Sequence, residues 1–327
     1  MEKKKIVLII DAWHPQINGV VTTYKNIIQN LPDDVSIEII HPGLFRTISA
    51  PGYKEIKLSL CSKKSMHKHL IQHPDAYYHI ATEGPLGLQA KRVLDKLQKK
   101  YTTAYHTKFP EMVQAIYKIP SGIIRAYLNW FHKKSKFVIC NSHRSAEENK
   151  FKSYKVLGKG YDTHFQFANK TKNSTKVLLY VGRVSKEKNI QDFCELKIKN
   201  TTKIVVGGGP HLEYLKNKYP LVNFVGYKTG KELAQYYREA DVTVFPSKTD
   251  TFGIVVLESM ACGTPVAAYN VTGPMDQIIN GFNGYCENNL ELAVRRCFIV
   301  SRQTTYDSVK NISWKKTAID FVKYITE

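Results

Sequence analysis

Ile6 to Ile10 is an unbroken apolar run of five residues, which reads as a strand buried on both faces. A glycine-containing turn follows. Val20, Tyr24, Ile27 and Leu31 then recur at three- and four-residue intervals, the spacing of one helix face. This β-loop-α pattern repeats. Strands are expected at Val35 to Ile40, Tyr77 to Ala81, Thr102 to His106 and Lys136 to Cys140, with helices at Leu86 to Leu97 and Ile123 to Phe131. Such alternation predicts a doubly wound parallel sheet. The periodicity lapses at LGKGYDT (157–163) and ANKTKNST (168–175), which read as a linker. It then resumes, with strands near Val177, Ile204, Val222, Val242 and Val266, and ends in a helical pattern from Tyr306 to Thr326. The expected fold is α/β, with two Rossmann-like domains, 1–165 and 166–305, whose parallel sheets face each other across a cleft. A terminal helical segment, 306–327, follows. The cleft is the natural ligand site.

Composition narrows the class. Of the 327 residues, 43% are hydrophobic and 23% charged, enough apolar surface for a core and too much for a disordered tail. No apolar run approaches the roughly 18 residues of a membrane-spanning helix. The opening MEKKKIVLIID has the lysines of an export signal, but its apolar run stops at Asp11, so export is not expected. Six scattered cysteines without a C-x-x-C pair fit neither a zinc site nor a disulfide framework and point to a reducing, cytoplasmic setting. The 48 basic and 28 acidic side chains leave +20, and residues 1–165, with 26 basic and 13 acidic, carry +13 of it. Such a field attracts anions: nucleotide phosphates, lipid headgroups or nucleic acid.

The chemistry concentrates in the second half. SKTDTFGIVVLESMACGTP (247–265) follows the strand Val242 to Phe245 and opens a helix at about Gly253. A helix start offers unpaired amides and a positive dipole end to a phosphate, and glycine there permits close approach. Asp250 before that helix and Glu258 within it can grip hydroxyls at opposite ends of one elongated ligand. Read singly, Asp250 is equally an N-terminal cap and Glu258 a solvated helix residue. In VGRVSKEKN (181–189), Arg183 and Lys188 at a strand's carboxyl end can neutralise a diphosphate. IVVGGGP (204–210) is a second strand running into glycine, where Gly207 and Gly208 allow backbone to approach a nucleotide. It is not a dinucleotide fingerprint, since Leu212 takes the place of the third glycine.

Together with DAWHPQINGVVTT, ATEGPLG (81–87) and AYHTKFPE (104–111), these segments make the chain resemble the family 4 retaining glycosyltransferases of GT-B fold, notably bacterial lipid glycosyltransferases and α-mannosyltransferases. The resemblance implies that Glu258 holds the ribose of a nucleotide diphosphate sugar and that Arg183 and Lys188 hold its diphosphate. Asp250, with Thr251 and the amides of Phe252, Gly253 and Ile254, would hold the transferred sugar. It also implies that Asn18 and Gly19 form a turn closing on the diphosphate and acceptor, and that His106 contacts the sugar ring. Glu83 is assigned to the acceptor side. The last helix would cross back to the first domain. Neither a metal nor a cofactor is implied. Asp250 stands where the family's E-x7-E signature has a glutamate.

The segment PSGIIRAYLNWFHKKSKF (120–137) has Ser121 as a candidate cap, an apolar stripe of Ile123, Ile124, Tyr127, Leu128 and Phe131, and basic Arg125, Lys133, Lys134 and Lys136. It reads as an interfacial membrane helix or as a helix packed on the first sheet. Lys63, Lys64, His67, Lys68 and His69 form another basic cluster. The expected function is therefore transfer of a hexose-type sugar to a lipid acceptor at an anionic membrane surface, by a cytoplasmic, peripheral enzyme. A soluble glycan is the alternative acceptor. A nucleic-acid-binding protein would account for the charge but not for Asp250 and Glu258 beside a phosphate-type helix start, and the aromatics form no stacking platform. A nicotinamide oxidoreductase is disfavoured because HPQINGV has a single glycine.

Overall fold

The computed structural model describes residues 3–16, 18–50, 53–106, 119–170, 175–250 and 252–327. Two compact units share the chain. Unit 1 combines Met1–Lys159 with Trp314–Glu327, and unit 2 is Gly160–Ser313. Among the described residues no helix is long and apolar enough to cross a membrane.

Unit 1 is built on six parallel strands: β1 (Lys4–Ile9), β2 (Val35–Ile40), β5 (Tyr77–Ile80), β6 (Tyr101–Tyr105), β7 (Val138–Cys140) and β8 (Tyr154–Val156), in the order β2-β1-β5-β6-β7-β8. The intervening β3 (Thr47–Ala50) and β4 (Tyr53–Ser59) form a separate antiparallel hairpin. Its polar, alternating sequence gave no periodic signal of a buried strand. The described helices here are α1 (Gly19–Gln29), α2 (Lys63–Leu70), α3 (Pro85–Lys96), α4 (Ser121–His132) and α5 (His143–Glu148). On α1 the expected Tyr24 and Ile27 are buried, joined by Val21 and Thr23, while Val20 and, just past the helix, Leu31 are partly buried against the same core. Ser121 does not cap α4. It is the first helical residue, and Pro120 precedes it without a side-chain cap. The carboxyl half of α4 packs inward through Leu128, Phe131 and His132, while Ile123 stays 62% exposed.

Unit 2 repeats the plan with β9 (Lys176–Val181), β10 (Thr201–Val206), β11 (Asn223–Gly226), β12 (Val242–Phe245), β13 (Val266–Tyr269) and β14 (Gly284–Glu287), ordered β11-β10-β9-β12-β13-β14, all parallel. Its helices are α6 (Ile190–Glu195), α7 (Leu212–Lys218), α8 (Gly230–Glu239), α9 (Ile254–Ala261), α10 (Leu290–Cys297) and α11 (Arg302–Asp307). Apolar residues from both faces of the sheet fill two core layers. Strand order reverses between β1 and β5 in unit 1 and between β9 and β12 in unit 2, and the carboxyl ends beside such reversals are where open α/β sheets take ligands.

The helix expected over 306–326 is broken. α11 and Val309 pack in unit 2, whereas α12 (Trp314–Thr326) packs on α1 and β5 of unit 1 and brings Ala318, Phe321, Val322 and Ile325 into its core. No disulfide joins any of the six cysteines, and five are buried.

Candidate functional site

In unit 2 the loops leaving β9 and β12 meet at the reversal point. After β9 the chain passes Gly182 and the exposed Arg183, whose carbonyl accepts from Tyr180 Oη at 2.7 Å. It then turns through a single 3-10 turn, Lys186–Lys188, that presents Lys188. Asn189 adopts a left-handed conformation (φ 53°), and its side chain donates to Asp192 Oδ2 at 2.6 Å and to the Pro246 carbonyl at 3.3 Å. This fastens the Lys188 turn to the end of β12. Lys188 Nζ consequently lies 2.6 Å from Asp250 Oδ1. The other carboxylate oxygen, Asp250 Oδ2, is buried and has no hydrogen-bond partner among the described residues. A buried, unpartnered carboxylate oxygen is costly.

Three residues on, α9 begins. Its cap residue is Gly253, with φ 82°; a Cβ there would lie 2.7 Å from Phe245 Cζ, so conformation and space both demand glycine. No side chain caps this helix and no acidic residue stands in its first turn. Gln277 donates through Nε2 to the Phe252 carbonyl and steadies the approach. On the fifth residue of α9, Glu258 accepts a 2.9 Å hydrogen bond from Tyr237 Oη. Burial pushes its carboxyl up to about 7 against the restraining bond from Tyr237, with Asp162 adding to the rise. Thr251 lies outside the described residues.

The glycine loop after β10 is explained by the protein itself. A Cβ on Gly207 (φ 136°) would sit 1.9 Å from the Gly182 carbonyl oxygen, and one on Gly208 would sit 2.5 Å from the Tyr227 ring, whose hydroxyl donates to the Gly208 carbonyl at 2.9 Å. Gly207 thus lets the β10 loop pack on the β9 loop, and Gly208 makes room for the Tyr227 ring that follows β11. Packing within the unit suffices to require both.

The unit 1 candidates are arranged differently. Asn18 caps α1, accepting from the Val20 and Val21 amides at 3.0 Å, and Gly19 is the first residue of the helix, not part of a left-handed turn. His106, at the end of β6, is buried. Its Nε2 lies 2.9 Å from Tyr24 Oη and its Nδ1 3.3 Å from Asn141 Oδ1. Burial, with Lys159 nearby, pushes this imidazole down to about 3, so it is neutral at ordinary pH. Glu83 is buried too. Its Oε1 faces His132 Nε2 at 3.5 Å, neither atom has a hydrogen-bond partner among the described residues, and its carbonyl accepts from Tyr127 Oη at 2.6 Å.

The structure therefore joins Lys188 with Asp250, but pairs Glu258 with Tyr237, His106 with Tyr24, and Glu83 with His132. Sequence reasoning missed Tyr237, Tyr24, His79, Asn141 and His132. It also missed Asp11, whose carboxylate accepts from the Leu86 amide at 2.7 Å, the Thr82 hydroxyl at 2.7 Å and the Gly87 amide at 3.3 Å. The one available signal for Asp11 was its place directly after the apolar run of β1.

The profile "Glycosyltransferase Family 4" matches residues 17–151 and "Glycosyl transferases group 1" matches 162–291. Alpha-monoglucosyldiacylglycerol synthase of Streptococcus pneumoniae is 25% identical, over 99% of this chain and 85% of that protein. A sulfoquinovosyl transferase of Arabidopsis thaliana is 24% identical over 84% of this chain, which spans 61% of that relative's length. Among solved structures, Anabaena HepE in complex with UDP and glucose superposes with a TM-score of 0.70 at 15% identity, covering 99% of this chain and 100% of that one. At that identity the likeness speaks for the fold.

Proposed function

The chain belongs to the family 4, group 1 glycosyltransferases, and on that premise we propose that it transfers a hexose-type sugar from a nucleotide diphosphate sugar to a hydroxyl of a membrane lipid, such as diacylglycerol or a glycolipid, with retention of anomeric configuration. One observation carries the donor assignment. Lys188 and Asp250 are paired beside a helix start that, among the described residues, has no side-chain cap, and one buried oxygen of Asp250 has no partner among them.

In this reading Arg183, Lys188 and the first amides of α9 counter the negative charge that grows on the diphosphate as its bond to the sugar breaks. Asp250 Oδ2 accepts from a sugar hydroxyl, with the amides of Phe252, Gly253 and Ile254 close by. Glu258 accepts from the ribose hydroxyls while Tyr237 orients it. On unit 1, His106 walls the sugar, and Asn18, Gly19 and Glu83 serve the acceptor side. The acceptor oxygen replaces the diphosphate oxygen on the anomeric carbon, and its proton passes to the departing diphosphate. No enzyme nucleophile is invoked.

The lipid acceptor is favoured by the pneumococcal relative, whose name is that of a glucosyldiacylglycerol synthase, and by the surface of unit 1. There α4 exposes Ile123 and Trp130 next to Lys133 and Lys134, and α2 exposes Lys63, Lys64 and Lys68. Apolar and basic groups side by side suit an anionic bilayer surface.

The test is a thermal-stabilisation screen of UDP-, GDP- and ADP-hexoses, followed by assay of the best donor with diacylglycerol in anionic vesicles and with soluble sugars. Transfer to the lipid with retained configuration is expected. Transfer to soluble sugars alone removes the lipid acceptor. Stabilisation by none of the donors, with salt-sensitive RNA binding in their place, turns the reading to a nucleic-acid-binding protein.

A further inference from the structure

Buried polar groups must satisfy one another, and unit 1 buries a line of five: Thr102, His79, Tyr24, His106 and Asn141. His79 Nδ1 lies 2.8 Å from Thr102 Oγ1, and His79 Nε2 lies 2.7 Å from Tyr24 Oη. The same phenol oxygen lies 2.9 Å from His106 Nε2, whose ring reaches Asn141 through Nδ1. A phenol has one proton, so Tyr24 donates to one imidazole and accepts from the other.

Asn141 decides the direction. Its amide nitrogen donates to the His106 carbonyl at 3.4 Å, which turns its oxygen toward His106 Nδ1 and requires a proton there. Turned over, the amide would set its oxygen against that carbonyl. With the proton on Nδ1 of neutral His106, Nε2 accepts from the Tyr24 hydroxyl. Tyr24 in turn accepts from His79 Nε2–H, and His79 Nδ1 accepts from the Thr102 hydroxyl. Every group is then used. In the reverse direction His106 Nδ1 would oppose the Asn141 oxygen, lone pair to lone pair.

We infer that Tyr24 and His79 are positioning residues that hold His106 as a neutral Nδ1–H imidazole with its Nε2 lone pair occupied, so that His106 serves transfer as a fixed wall and not as a proton acceptor. The inference rests on the reading of His106 as part of the sugar site. Its surroundings favour this state from each side. Lys159, after β8, opposes a cation on His106, and burial also pushes His79 down to about 3, with His106 adding to the effect. Glu83 and burial hold the Tyr24 phenol protonated. From α12, Phe321 packs edge-on against Tyr24 and His79, with ring centroids 5.9 and 5.3 Å away, and closes the line to water. Protonating His106 would put hydrogens on both its nitrogens and reverse every bond from Tyr24 to Thr102. Taking the acceptor's proton would therefore dismantle the line.

The experiment is long-range proton–nitrogen NMR of the full chain labelled with nitrogen-15 histidine, from pH 5 to 8.5, beside the pH dependence of kcat. His106 is expected as a single Nδ1–H tautomer that does not titrate, with no limb from it in the kcat profile. Tyr24→Phe removes only the hydroxyl. It is expected to free the Nε2 lone pair so that His106 titrates, to bring a histidine limb into the profile between pH 5 and 7, and to lower kcat/KM roughly tenfold. A wild-type Nε2–H tautomer, or titration of His106 between pH 5 and 8, overturns the inference without recourse to any variant. So does a folded Tyr24→Phe variant in which His106 still does not titrate and the profile is unchanged. The tautomer is read without substrate, so an intact line in a chain that transfers no sugar would uphold the positioning and remove only the functional reading.

Discussion

Each unit sets a helix start beside the point where its strand order reverses, and the two treat that start in opposite ways. In unit 1, Asp11 at the end of β1 reaches across to α3 and places its carboxylate on the first amides of that helix. The fit leaves no room for anything else, since a Cβ on Gly84 would lie 2.5 Å from the Asp11 carboxyl carbon. In unit 2, Asp250 is drawn to Lys188, and α9 starts at a glycine with no side-chain cap. A helix end already neutralised by the protein's own carboxylate has little pull left for a phosphate. Similar sheets thus carry one helix start sealed by the protein's own carboxylate and one without a side-chain cap among the described residues. The difference comes from which loop supplies the carboxylate and whether a lysine holds it away.

The sharpest way to break this contrast is Lys188→Ala. Removing the cation should lower kcat by roughly a hundredfold or more, on the scale of losing one preorganised transition-state contact, in a protein whose melting shows it folded. Wild-type turnover in that variant would end the assignment of unit 2 as the charged side. Next in size is Asp11→Ala. It uncaps α3 and should destabilise unit 1 by about 2 kcal/mol in denaturant titration, with UDP or GDP affinity unchanged. Nucleotide binding gained or lost in this variant would show that the two starts are not independent.

The smallest effect, taken per pH unit, is that of acid. His79 and His106 sit near 3 when folded, against an ordinary 6.5, so the unfolded chain holds two extra protons between those values and unit 1 loses stability as pH falls through 6.5. Asp11, raised to about 6 by burial, acts in the opposite sense with one proton between 3.8 and 6. The balance is one proton, or about 1.4 kcal/mol per pH unit lost from unit 1 between pH 6 and 4. Glu258, near 7 when folded against 4.5, gives unit 2 the opposite slope, stability gained as pH falls from 7 toward 4.5. Amide exchange resolved by unit at pH 5 and 6 should show unit 1 loosening relative to unit 2; parallel behaviour would deny that the buried histidines are neutral.

What the sequence disclosed follows the range over which each residue acts. Buried strands such as β1 and β12 announce themselves as apolar runs, and Lys188 and Asp250, which the fold brings together, stand in loops whose local text already set them apart. The hairpin β3–β4 and helix α2 were obscured because little of their surface is apolar. In α2 only Met66 and Leu70 are buried, so it read as a basic cluster. Asp11, Tyr24 and His79 could not be found locally. Asp11 meets Leu86 across 75 residues and Tyr24 meets His106 across 82, and no periodicity within one element encodes such a meeting. The packing need for Gly207 and Gly208 was hidden for a related reason, since the close neighbours that require glycine, Gly182 and Tyr227, stand in other loops of the same sheet.

The return of α12 to unit 1 sets an order of events during synthesis. Residues 160–313 emerge from the ribosome as a contiguous stretch and can complete their own unit, while the earlier-made 1–159 still lack Phe321, Val322 and Ile325, which fill the layer around Ile6, Leu8 and Tyr24. The half of the protein that is translated first is the half that finishes last. Until its final helix arrives, it must wait with an open apolar face over the histidine line.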